Sequence, residues 1–98
     1  MDKALNDFDW SLIRAFLAVA ETGSLSGAAR SLSLSQPTLG RQIKQLENQT
    51  GLRLFERQAR GLELTDTGES LLEPARAMRA AFGQLRLRAA GRDHKMEG

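Results

Sequence analysis

The chain has 98 residues, a formal net charge of +2, one histidine and no cysteine. That length predicts one small domain, or a small domain plus an extension, and the missing thiols exclude disulfides and thiolate metal sites. Its longest apolar stretch, around residues 16–20, is far too short to span a bilayer, and no basic, apolar, small-residue leader opens the chain, which fits a cytoplasmic location away from membranes.

Charge is unevenly placed. Through residue 29 four acids face two bases, residues 30–60 carry six bases against two acids, and the remainder balances six against six. A central basic excess points to a polyanionic partner, although a solvated basic face gives the same pattern.

In chain order, "DWSLIRAFLAVAETG" predicts a helix with Asp9 as N-cap and Gly23 as its stop. Ile13, Phe16, Leu17 and Ala20 form one apolar stripe, and Leu12, Ala15 and Val19 form another beside it. A helix apolar on so much of its circumference needs cover on two sides, from the domain core and from a second element or subunit. Ser26 can cap a following short helix that contains Ala28, Ala29 and Leu32. Ser33 and Leu34 make a tight break. Ser35 then caps a helix over residues 36–50, with Pro37 in its first turn, where amides have no helical partner, and Gly51 in the left-handed position after its end.

"LRLFERQARGLELT" changes period. Alternating leucines flank "QARG", which reads as a hairpin loop, so residues 54–64 form a wing that must lean on the helices. From Thr65 the helical pattern returns. Leu71, Ala75, Met78, Phe82, Leu85 and Ala89 are spaced 4, 3, 4, 3, 4, an a/d seam suited to pairing with a second copy. Pro74 predicts a kink or break near Ser70. "GRDHKMEG" has no pattern and reads as a frayed tail.

The order predicts a mainly α fold: a winged helix-turn-helix over residues 1–65, with three helices and a two-stranded hairpin wing, then a long dimerisation or linker helix over 66–90 and a tail over 91–98. With Leu39, Ile43 and Leu46 turned inward, the far face of the capped helix holds Pro37, Arg41, Lys44, Gln45 and Asn48, flanked by Gln36, Thr38 and Gly40. Arg and Gln carry donors that read guanine and adenine edges in a major groove. Arg57 and Arg60 bracket the wing turn, where arginine can follow a backbone or enter a minor groove. Catalytic chemistry is poorly supplied. The single histidine, His94, lies in the tail, and no phosphate-binding glycine motif occurs, so neither a catalytic nor a metal site nor a cofactor is predicted.

The segments "AVAETGS", "AAR-L", "LSQP-L-RQI--LE", "G-RLFER" and "LT--G" closely resemble, in order and spacing, the N-terminal DNA-binding region of LysR-type transcriptional regulators, over about residues 12–85. The resemblance implies a sequence-specific regulator that binds double-stranded DNA at an interrupted palindrome. It implies a homodimer through the linker helix, with a tetramer open to the full-length protein, and a small-molecule effector bound only by an absent C-terminal domain. Position by position it implies base contacts from Gln36, Pro37, Thr38 and Arg41, backbone contacts from Ser35, Gln42, Lys44 and Arg53, and a minor-groove contact from Arg60. Leu71, Ala75, Met78, Phe82 and Leu85, with Leu12 and Val19, are the expected dimer interface. Gly40 departs from the family's usual serine and has no hydroxyl to offer a groove. Two alternatives stay open: a dimeric interaction module without specific DNA binding, and a winged-helix regulator of another family.

Overall fold

A computed structural model describes residues 10–59 and 61–97, with side chains through residue 91. The elements run α1 (Trp10–Thr22), α2 (Leu25–Leu32), α3 (Gln36–Thr50), β1 (Phe55–Gln58), β2 (Gly61–Leu64) and α4 (Asp66–Glu97). Asp9, the expected cap of α1, lies outside the described residues.

Helix α1 is the hub of the core. Both of its apolar stripes are buried apart from the half-buried Ala20, and α2, α3 and α4 all pack on it. The second stripe needs no second subunit. Leu12 is 2% exposed and Val19 0%, enclosed by the chain's own helices. Neither has surface left for a partner, which corrects their expected place in a dimer interface. The chain reverses at Gly23, whose φ is 79° and whose amide donates to the Val19 carbonyl.

Helix α2 is capped by Ser24, whose hydroxyl accepts from the Gly27 amide at 2.9 Å, and not by Ser26. Both serines can cap, but the chain enters the helical region directly after the Gly23 reversal, which leaves Ser24 as the last extended residue and Ser26 exposed inside the first turn. Ser33 ends α2 in the left-handed region at φ 57°, and Ser35 caps α3 as expected, accepting from the Thr38 amide at 3.2 Å. Gly51 closes α3 at φ 71°, with its amide on the Glu47 carbonyl at 2.8 Å. Leu39, Ile43 and Leu46 are buried against the core.

The wing is antiparallel, with Phe55 opposite Leu64 and Gln58 opposite Gly61. Pairing therefore continues to Gln58 and Gly61, so the connection is tighter than the four-residue "QARG" expectation. Gly61 permits this. Its φ is 134°, and a Cβ there would collide with the Gly23 carbonyl, which also accepts from the Leu62 amide at 3.3 Å. The hairpin leans inward through Leu54 and Phe55. The Phe55 ring meets Phe16 at 5.6 Å between centroids, in a tilted pair.

Thr65 starts α4. Its hydroxyl donates to the Arg53 carbonyl at 2.6 Å and accepts from the Gly68 amide at 2.9 Å. The helix then runs unbroken to Glu97 with Pro74 inside it, so neither the break near Ser70 nor a non-helical tail over 91–97 occurs. Pro74 takes the amide partner from the Ser70 carbonyl, but both residues are exposed and water can serve the freed oxygen. Beyond Ala90 a single glycine costs only about 1 kcal/mol against continuing good helix formers.

The a/d seam divides in two. Leu71 is half-buried and Ala75 only 4% exposed, both turned to the domain's own core, so Ala75 is also removed from the expected dimer interface. Met78 (44%), Phe82 (38%) and Leu85 (62%) stay open to solvent.

Candidate nucleic-acid interface

Helix α3 presents its outer face because its inner face is spent on the core. Gln36, Pro37, Arg41, Lys44, Gln45 and Asn48 are exposed, and Thr38, Gly40 and Gln42 partly so. All of them except Gln36 line one open surface that contains no acidic side chain. Of the predicted base-contacting set, Pro37, Thr38 and Arg41 thus share one helix face, with Lys44 and Gln42 beside them, while Gln36 is exposed at the helix start outside that surface.

The start of α3 is organised by a short hydroxyl network. Ser35 Oγ, while capping Thr38, donates to Thr38 Oγ1 at 2.9 Å, and Arg41 Nη2 donates to the same oxygen at 3.4 Å. Thr38 therefore ties the cap to the guanidinium one turn along. The free first-turn amides and the helix dipole add a fixed positive potential at this end.

A second basic surface lies between α3 and the wing, where Lys44, Arg53 and Arg57 gather around Ile43, Phe55 and Leu62. Arg53 and Arg57 are exposed. Glu47 also lines this surface but is engaged, since its Oε2 accepts from the amides of Leu54 at 2.8 Å and Phe55 at 3.3 Å. It fixes where the wing begins relative to α3. Arg60, the expected minor-groove residue, lies outside the described residues.

Two acids carry structural roles that the sequence reading missed. Glu47 is one. Glu21 is the other: its carboxylate accepts from Arg79 at 2.9 and 2.8 Å and from Arg76 at 3.5 Å, joining the end of α1 to α4. The Arg79 hydrogen bonds hold the Glu21 carboxyl below its usual range, against a smaller opposing push from burial. Both acids stand in or near the last turn of a helix, where the dipole disfavours negative charge, and an acid so placed signals a nearby partner. Among the described residues no group of three or more His, Asp or Glu is placed to hold a metal ion, and no helix is long and apolar enough to cross a membrane.

Residues 10–69 match the model of the bacterial regulatory helix-turn-helix proteins of the lysR family. The chain belongs to the LysR family. It is 48% identical over 82 residues to the HTH-type transcriptional regulator ClcR of Pseudomonas putida, covering 82% of this chain and 28% of that protein. It is 52% identical over 66 residues to TfdS of Cupriavidus pinatubonensis, covering 67% and 22%. The LysR-family chain thus spans about a quarter of the length of such curated relatives. Among solved structures, the CbnR DBD–DNA complex superposes with a TM-score of 0.76 at 41% identity, over 86% of this chain and 99% of that one. Corynebacterium glutamicum OxyR gives 0.83 at 34% identity, over 85% and 27%. The winged helix-turn-helix architecture is that of the LysR family, and these relatives are named as regulators, not enzymes.

Proposed function

We propose that this chain is the sequence-specific DNA-binding module of a transcription regulator, acting as a homodimer on an interrupted palindrome of double-stranded DNA. The observation that carries this is the outer face of α3: capped at its start, free of acids, bearing Arg41 and Lys44 among amides and hydroxyls, and anchored by a wholly buried inner face. Gln36, Pro37, Thr38 and Arg41 read base edges in the major groove. Ser35, Gln42, Lys44 and Arg53 hold phosphates, with Arg57 beside them, and Arg60 reaches the minor groove. That a relative 41% identical over nearly its full length was solved on DNA supports the reading.

Met78, Phe82 and Leu85 form the homodimer contact along α4, with Leu71 at its margin. Two α3 helices held about 34–36 Å apart would then meet successive major-groove faces. The regulators named above are about four times as long as their matched part, which supports a separate C-terminal domain for a small-molecule effector and higher assembly, such as a tetramer, in the whole protein. The DNA-binding role calls for no cofactor and fits a cytoplasmic location beside the DNA.

The test separates reading from holding. Arg41→Ala loses about 1–3 kcal/mol of discrimination between selected and random duplex. Lys44→Ala weakens both about equally and flattens the salt dependence. Anisotropy titrations at several salt concentrations measure both, and variants that bind every duplex like the parent would exclude α3 as the reading element.

A further inference from the structure

Helix α4 is embedded in the domain as far as Ala75 and then leaves it. Its 32 residues give a rod of about 48 Å, close to the 55 Å long axis of the whole molecule. Near the point of departure, Arg76, Arg79 and Phe82 reach back to α1. Arg76 and Arg79 clasp Glu21, and the Phe82 ring stacks on Trp10 with centroids 5.2 Å apart and planes 25° apart.

The placement of these contacts matters more than their strength. Glu21 and Trp10 stand at opposite ends of α1, roughly 16 Å apart along its axis. The residues of α4 that hold them, Arg79 and Phe82, are less than one turn apart. The two contacts are thus spread along α1 while lying close together on α4, so one restrains α4 towards each end of α1. Together they oppose rotation of α4 in either sense. From Arg79 to Glu97 the helix extends about 27 Å further, so a swing of only 10° would move its end by roughly 5 Å.

We infer that Glu21 is a positioning residue that sets the direction in which α4 leaves the domain, and thereby the half-site separation that a dimer prefers on DNA. The second clause rests on the dimer reading above; the first does not. Glu21 suits the task because it grips Arg79 through both carboxylate oxygens, which fixes orientation as well as distance. The opposite contact is an aromatic stack, insensitive to charge. Removing the carboxylate therefore frees one sense of rotation and leaves the other restrained.

The chain has no cysteine, so spin labels can be placed without background. Arg30→Cys and Arg88→Cys, both at exposed positions, report the α2-to-α4 distance when labelled chain is diluted into unlabelled chain. Glu21→Gln and, independently, Arg79→Met each widen or shift that intrachain distribution while circular dichroism stays unchanged. On duplexes selected by the parent from a random pool and then re-spaced in single base-pair steps, the preference for the best spacing falls by about two- to fivefold, the range expected of one exposed ion pair. Affinity for an isolated half-site does not change. Identical distance distributions in parent and both variants would overturn the positioning role. A widened distribution with an intact spacing preference would overturn its consequence on DNA, as would a parent that stays monomeric on paired half-sites. That last result would show the dimer reading at fault, since the intrachain distances do not depend on it.

Discussion

Gly40 and Gly68 both sit inside helices, yet they have opposite surroundings. A Cβ built on Gly40 meets nothing within 4 Å, whereas one on Gly68 runs into the Leu54 carbonyl and the Leu64 side chain. Helix propensity alone favours alanine at either place by about 1 kcal/mol. At Gly40 that gain stands unopposed, so Gly40→Ala stabilises the fold by about 0.5–1 kcal/mol. At Gly68 the obstacle is a backbone oxygen that cannot rotate aside, and overpacking of this kind costs about 1–3 kcal/mol, so Gly68→Ala is net destabilising by about 1–2 kcal/mol. Urea unfolding of the two variants beside the parent checks both signs. If Gly40→Ala were destabilising, the face of α3 would be less open than the geometry has it. Sequence pattern separates these two glycines poorly, because what distinguishes them is the wing folding back onto the first turn of α4.

At the scale of elements, legibility followed locality. Helix α3 was readable from end to end, since Ser35, Pro37 and Gly51 each act within a few residues of where they stand. The N-cap of α2 lies two residues before the expected Ser26 because Ser24 and Ser26 are equally able to cap, and only the Gly23 reversal decides between them. The wing connection is shorter than its sequence implies because the pairing of Gln58 with Gly61 depends on Gly61 lying against Gly23, far away in sequence. Glu47 belongs to the same class. Its partners are seven and eight residues on, Leu54 in the irregular connection and Phe55 at the first position of β1. Bonds from backbone amides to a carboxylate are worth about 1.5–3 kcal/mol, and the Leu54 amide has little water to replace them, as its residue is buried. Glu47→Ala is therefore expected to destabilise by about 1–3 kcal/mol, with hydrogen exchange rising first at Leu54 and Phe55. Glu47→Gln, which keeps an acceptor oxygen, falls in between. Exchange unchanged at those two amides would mean that the wing holds its position without help from α3.

For the whole molecule, the seam on α4 divides between holding the domain together and meeting a second copy. The 4-3 spacing runs continuously from Leu71 to Ala89, and periodicity alone gives no reason to divide it. Burial divides it, with Leu71 and Ala75 inside and Met78, Phe82 and Leu85 outside. A test of the dimer must therefore use a residue that the chain does not need for itself. Phe82 fails that requirement, because its ring also stacks on Trp10 and its loss would disturb the exit of α4 as well as any partner contact. Leu85, at 62% exposed, is the cleaner position. In a dimer seam Leu85→Glu would bury a charge opposite its own copy, which costs several kcal/mol and raises the dimer dissociation constant at least about 100-fold. The folded monomer should be indifferent, with the same helical content and the same urea midpoint. Sedimentation equilibrium across a concentration series reads the difference. A Leu85→Glu chain that stays as dimeric as the parent would move the interface off this face of α4, and would leave Met78 and Phe82 as exposed surface of the domain alone.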